Sequence, residues 1–193
     1  MNEPHILIAE DSEFNHIILQ HSLKELGYSF TIVVDGEQVL EKLKTDKSFN
    51  IVLMDLKLPI IDGIKATAII RETFEEPQKN IKILAMTAFS DTGMVEELKK
   101  KGFDDFLKKP FTIPELKTII EKNVLPNKNN ISEIQEKTEK QESIIQLEYM
   151  QSLSGGDIHF ENDLIQTYID LCPSTLQRLR TLIDNQMLKE LGN

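Results

Sequence analysis

The 193-residue sequence has one cysteine, Cys172. A lone cysteine rules out an internal disulfide and fits a reducing compartment. No CxxC pair occurs and no histidine clusters with cysteine, so a structural zinc site is not expected. No apolar run approaches the ~18 residues of a membrane span. The opening MNEPHILIAED has no basic region ahead of a long apolar stretch, so no signal peptide is expected. These absences predict a cytoplasmic protein that makes no membrane contact of its own. Basic excess is also missing. The net charge is −10 and neither half carries a surplus of Lys and Arg, so nucleic-acid binding, which needs a basic patch, is not expected. Neither GxxxxGKS/T nor GxGxxG is present, which argues against a nucleotide site.

What the sequence does contain is an alternation. Short apolar or β-branched runs, HILIA (5–9), FTIVV (30–34), IVLM (51–54), IKILAM (81–86) and DFLK (105–108), are separated by stretches with helical spacing. Phe14, Ile17, Ile18 and Leu26 mark the first helix, with Gly27 to end it. Val39, Leu40 and Leu43 mark the second, Ile64, Ala68 and Phe74 the third, and Met94, Val95 and Leu98 the fourth, with Gly102 behind. Thr112, Pro114 and Glu115 form a capping box for the fifth, which continues through Leu116, Ile119, Ile120 and Val124. Five strands alternating with five helices imply an α/β fold, a parallel sheet covered on both faces. In such sheets ligands bind beyond the carboxyl ends of the strands.

Those strand ends carry chemistry. The first is followed by Glu10 and Asp11, and the third ends in Asp55. Carboxylates gathered at one edge repel, and a divalent cation relieves them; magnesium takes oxygen ligands and few protein carboxylates. Glu10 and Asp11 could also simply solvate a strand end or cap a helix. Thr87 at the end of the fourth strand and Lys109 after the fifth shift the balance. Two metal-binding acids, an acceptor carboxylate, a hydroxyl and an ammonium form a set suited to phosphoryl transfer onto Asp55.

In the order Glu10-Asp11, Asp55, LPIIDG, Thr87-Ala88 and DDFLKKPF, residues 5–125 resemble a receiver domain of two-component signalling. The resemblance implies a flavodoxin-like, doubly wound five-stranded sheet of order 2-1-3-4-5. It makes Asp55 the phosphoacceptor and Thr87 and Lys109 its catalytic partners. Magnesium would be held by Asp11, Asp55 and the Lys57 carbonyl, with Glu10 acting through water. Thr87 and Phe106 would form the switch, read out on the surface of helix 4, strand 5 and helix 5. Lys57 and Phe89, two residues past Asp55 and Thr87, would govern water access to the acyl phosphate. A sensor histidine kinase or a histidine phosphotransfer protein would be the phosphodonor, and the chain would catalyse only its own phosphorylation and dephosphorylation.

Two alternatives stand beside this reading: a receiver-shaped interaction module that is never phosphorylated, and a haloacid-dehalogenase-type phosphatase. The second needs an Asp two residues beyond its nucleophile, where this chain has Lys57. A transcription factor is not expected, because no basic helix-turn-helix segment follows.

The expected organisation is a receiver over 1–125, a polar linker over 126–143 and an all-α segment over 144–193. The last resembles the opening of a histidine phosphotransfer domain, through its Gly155-Gly156-Asp157 turn and helical periodicity. That family's phosphorylated histidine lies in an HxLKG-like stretch on a later helix, and no histidine follows His159. His159 is therefore expected to be a solvent-facing helix residue, and the segment a truncated one that cannot relay phosphate. Its apolar stripe, or the receiver, would support a homodimer. The resemblance also implies the end of a hybrid sensor histidine kinase as one setting for the chain.

Overall fold

The computed structural model describes residues 4–88 and 92–124, together with residues 157, 159, 160, 162, 163 and 166. The chain parts into two units, Met1–Ile144 and Ile145–Asn193, each described by itself. The expected linker over 126–143 lies outside the described residues, as do Phe89 and most of 144–193.

In chain order the first unit runs β1 (His5–Ala9), α1 (Glu13–Glu25), β2 (Ser29–Val33), α2 (Gly36–Thr45), β3 (Ile51–Asp55), α3 (Gly63–Thr73), β4 (Lys82–Thr87), α4 (Thr92–Lys100), β5 (Asp105–Lys108) and α5 (Ile113–Val124), with a short 3-10 turn at Gln78–Asn80. All strands are parallel, in the order β2-β1-β3-β4-β5. That is the expected flavodoxin-like order.

Each face of the sheet builds its own core. Leu7, Val52, Met54, Ile83 and Ala85 pack with Val39 and Leu43 of α2, Ala66 and Ile70 of α3 and Leu98 of α4. The alternate residues Ile6, Ile8, Ile51, Leu53, Leu84 and Met86 pack with Leu19 and Leu23 of α1 and Leu116 and Ile120 of α5. Side chains alternate across a strand, so an interior strand with helices on both sides is apolar at successive positions.

The local signals for helix ends hold. Gly27 (φ +75°) and Gly102 (φ +98°) follow α1 and α4 in the left-handed conformation. Their N–H groups reach the Lys24 and Lys99 carbonyls, and the next residues reach Leu23 and Leu98, a Schellman closure. At α5, the Thr112 N–H and hydroxyl donate to Glu115 Oε2, and the Glu115 N–H donates back to the Thr112 hydroxyl.

Four expectations need correction. β2 covers 29–33, leaving Val34 exposed after the strand, and β4 covers 82–87, which brings Thr87 into it. The buried face of α1 is Ile18, Leu19, Ser22 and Leu23. Ser22 hides its polarity by donating to the Ile18 carbonyl, which disguised the stripe. In α3 the buried positions are Gly63, Ala66, Thr67 and Ile70, with Thr67 donating to the Gly63 carbonyl. Among the described residues no helix is long and apolar enough to cross a membrane.

In the second unit, Asp157 Oδ1 accepts the N–H groups of His159 and Phe160, which lie in a helical stretch, and His159 is exposed.

Candidate functional site

Parallel pairing puts the carboxyl ends of β1, β3, β4 and β5 along one edge, so Glu10, Asp11, Asp55, Thr87 and Lys109 meet although they are distant in sequence. The Glu10 N–H donates to the Val33 carbonyl and the Lys109 N–H to the Thr87 carbonyl. Both residues beyond the strand ends are thereby held by the neighbouring strand.

Glu10 is 1% exposed. A carboxylate at that depth needs a partner for each oxygen. Oε2 accepts from the Lys109 ammonium at 2.5 Å; Oε1 accepts from Asn15 Nδ2 at 2.9 Å and, more weakly, from the Ser12 N–H at 3.4 Å. His16 Nε2 lies against the Glu10 carbonyl oxygen. Asp55 is partly buried. Its Oδ2 accepts from the same Lys109 ammonium and its Oδ1 from the Lys57 N–H at 2.9 Å. Asp11 is exposed, and one ligand oxygen from each of Glu10, Asp11 and Asp55 lies within 4.8 Å of the other two.

Lys109 is the electrostatic centre of this set. Burial pushes its pKa down, but the hydrogen bonds and charges of Asp55 and Glu10 outweigh burial and hold it above the ordinary 10.5. The ammonium thus offsets part of the carboxylate repulsion. Three carboxylates against one ammonium leave an excess of negative charge. Hard carboxylate oxygens with that excess fit magnesium or calcium, which take oxygen donors, rather than softer metals.

Thr87 and Lys57 lie at the same edge, whereas Phe106, in register with Ala85, sits two residues before the end of β5. Thr87 is buried and hydrogen-bonded or otherwise engaged. Phe106 is half-buried against the core on the α2–α4 side of the sheet. The Lys57 side chain is exposed, and Leu58 is buried behind it.

Two residues went unremarked in the sequence. Asn15, in the first turn of α1, holds the buried face of Glu10. Gly63, in the first turn of α3, comes so close to β3 that a Cβ there would sit 2.1 Å from the Asp55 carbonyl oxygen. The glycine of LPIIDG was the available signal for the second. For Asn15 there was none, because its partner is set by the path of the chain between β1 and α1.

Comparisons with known proteins fit this geometry. The family model for the response regulator receiver domain matches residues 6–121. Over 116 residues the chain is 33% identical to two-component response regulator 24 of Arabidopsis thaliana, covering 60% of this chain and 81% of that protein. Over 117 residues it is 32% identical to hybrid signal transduction histidine kinase A of Dictyostelium discoideum, covering 60% of this chain but 5% of that kinase. The chain likewise spans only 7% and 6% of two further histidine kinases that it matches, from Schizosaccharomyces pombe and Dictyostelium discoideum. Among solved structures, the receiver domain of a Pseudomonas aeruginosa sensor histidine kinase, with a magnesium ion coordinated in its active-site cleft, superimposes with a TM-score of 0.58 at 33% identity, covering 64% of this chain and 98% of that one.

Proposed function

The chain belongs to the response regulator receiver family over residues 6–121, and from that premise we propose that it accepts a phosphoryl group on Asp55 from a phosphohistidine on a sensor kinase or phosphotransfer partner. The observation that carries this reading is the Lys109 ammonium, seated between Glu10 and Asp55 with Asp11 alongside.

Asp55 is the nucleophile. A carboxylate oxygen attacks directly and needs no general base. The Lys57 N–H fixes one of its oxygens, which orients the other toward an incoming phosphorus. A carboxylate oxygen forms the new P–O bond as the P–N bond to the donor imidazole breaks. The imidazole leaves with the electron pair and is protonated by solvent. Lys109 then exchanges a carboxylate for a phosphoryl oxygen, and the Thr87 hydroxyl donates to another. Asp11, Asp55 and the Lys57 carbonyl would hold magnesium, with Glu10 reaching it through water. Bound there, the ion supplies positive charge to the phosphoryl oxygens. Movement of Thr87 toward the new group would leave room for Phe106 to turn inward, a local charge change biasing a two-state element on the α4–β5–α5 surface. The phosphatase alternative is disfavoured because Lys57 stands where its acid is required.

We further infer that residues 1–125 form the receiver, 126–143 a linker and 144–193 a helical segment related to the opening of a phosphotransfer domain. The location of the protein inside the cell, and any homodimer formed by it, are part of the same proposal.

Acetyl phosphate or the beryllium fluoride mimic, with magnesium, is expected to modify or occupy the wild-type site and not that of Asp55→Asn. Intact-mass measurement decides the phosphate arm. Equal incorporation into both proteins would overturn the assignment.

A further inference from the structure

We propose that Asn15 is a positioning residue that holds the Glu10 carboxylate back from the cation and so sets the preference of the site for magnesium over calcium. This deepens the reading of the site given above and rests on it.

The site offers three carboxylates within 4.8 Å. Magnesium keeps several waters and takes one or two carboxylates in a strict octahedron. Calcium accepts six to eight oxygens, bidentate carboxylates included. Were all three acids free to close on one ion, the donor set would suit calcium. Glu10 is not free. Asn15 Nδ2 and the Ser12 N–H occupy Oε1, and Lys109 occupies Oε2.

These restraints differ in permanence. Lys109 is a long side chain whose partners change when a phosphoryl group arrives. Asn15 sits in the first turn of the 13-residue α1, whose N-cap Ser12 accepts the Asn15 N–H. Its backbone is therefore anchored at the helix start, and its short side chain keeps Nδ2 within reach of Glu10 Oε1 when Lys109 leaves.

The residue type supports the role. Asn15 is the third helical residue, where Glu or Gln commonly turns back to accept the N-cap N–H. Here the Ser12 N–H goes instead to Glu10 Oε1, and Asn15 donates to the same oxygen. Glu10 thus does the accepting that a third-position glutamate would do, and Asn15 supplies a donor without adding a fourth charge. Partners of metal-ligating groups commonly govern metal affinity in this indirect way.

The test is calorimetric titration of the full chain with magnesium and, separately, with calcium. The proteins are wild type, Asn15→Ala, Asn15→Asp, Glu10→Gln and the double variant Glu10→Gln/Asn15→Ala. Asn15→Asp keeps the side-chain shape and replaces the donor by an acceptor that repels Glu10. The ratio of calcium to magnesium affinity is expected to rise about tenfold in both Asn15 single variants. In the Glu10→Gln background, Asn15→Ala should leave the ratio where Glu10→Gln alone puts it, since Asn15 acts through Glu10. An unchanged ratio in both single variants would overturn the proposal, and so would an equal rise in the Glu10→Gln background. Failure of the wild type to bind either ion would instead overturn the metal assignment beneath it.

Discussion

An added Cβ at Gly63 would meet the Asp55 carbonyl oxygen at 2.1 Å and the Met54 Cγ at 2.9 Å. Neither neighbour can yield, because Met54 is fully buried and Asp55 ends a central strand. Gly63→Ala is expected to destabilise the fold by roughly 2 kcal/mol or more through overpacking and to slow phosphorylation of Asp55 by displacing it. Gly27→Ala is the control. Nothing lies within 4 Å of its Cβ, but φ is +75°, so it should cost about 1 kcal/mol with the phosphorylation rate unchanged. Urea denaturation and a phosphorylation time course on both variants check the pair. Ile60 presents the opposite case. It is 75% exposed, β-branched, and held at φ +64°. Asparagine tolerates that conformation far better. Ile60→Asn is expected to raise stability by about 1 kcal/mol, read as a higher urea midpoint at unchanged slope.

Helix α3 begins at the strained loop and ends far from the site, and its start is set by one side chain. Asp62 Oδ1 accepts the Lys65 N–H at 2.8 Å, and the Lys65 ammonium stands 3.2 Å from Oδ2. Burial raises the Asp62 pKa, but these contacts with Lys65 outweigh it and bring the pKa below the ordinary 3.8. A depressed folded value means that the carboxylate's contribution is complete above pH 3.8 and is lost as pH falls through the folded pKa. Asp62→Ala is therefore expected to cost about 1 kcal/mol at neutral pH, a difference that narrows on acidification below 3.8. Urea midpoints across that range measure it. Among the described residues of the first unit, the existence and type of the five strands and five helices were legible in the sequence, because continuous apolar runs and cap residues are local signals; the 3-10 turn at Gln78–Asn80 was not. The buried faces of α1 and α3 were not. Ser22 and Thr67 interrupt the apolar stripe and satisfy themselves on the carbonyls four residues earlier. Glu10, Asp55, Thr87 and Lys109 were legible because each follows directly from a strand end. Asn15 and Gly63 depend on how one element approaches another, which periodicity does not encode.

At the scale of the molecule, the receiver unit places its most repulsive charges where its sheet is best packed. β1, β3 and β4 are almost wholly buried and hold the fold, yet they end in Glu10, Asp11, Asp55 and Thr87. The ammonium that pairs with Glu10 and Asp55, Lys109, comes from the end of β5 at the sheet edge. Without a metal ion the carboxylates exceed the ammonium, and the folded state carries that repulsion while the unfolded chain disperses it. Function and stability therefore pull apart at Asp11, which is exposed and takes no part in the Glu10–Lys109–Asp55 bridge. Asp11→Asn is expected to raise the unfolding free energy in chelator by about 0.5–1 kcal/mol. In saturating magnesium the order should reverse. The wild type gains stability through binding to the folded state, roughly 2.7 kcal/mol at a hundredfold excess over Kd, and the variant gains much less. Thermal unfolding of both proteins with and without magnesium tests this. If Asp11→Asn is the less stable protein in chelator, the excess charge is not a source of strain in the metal-free fold. If both proteins gain equally from magnesium, Asp11 is not among its ligands.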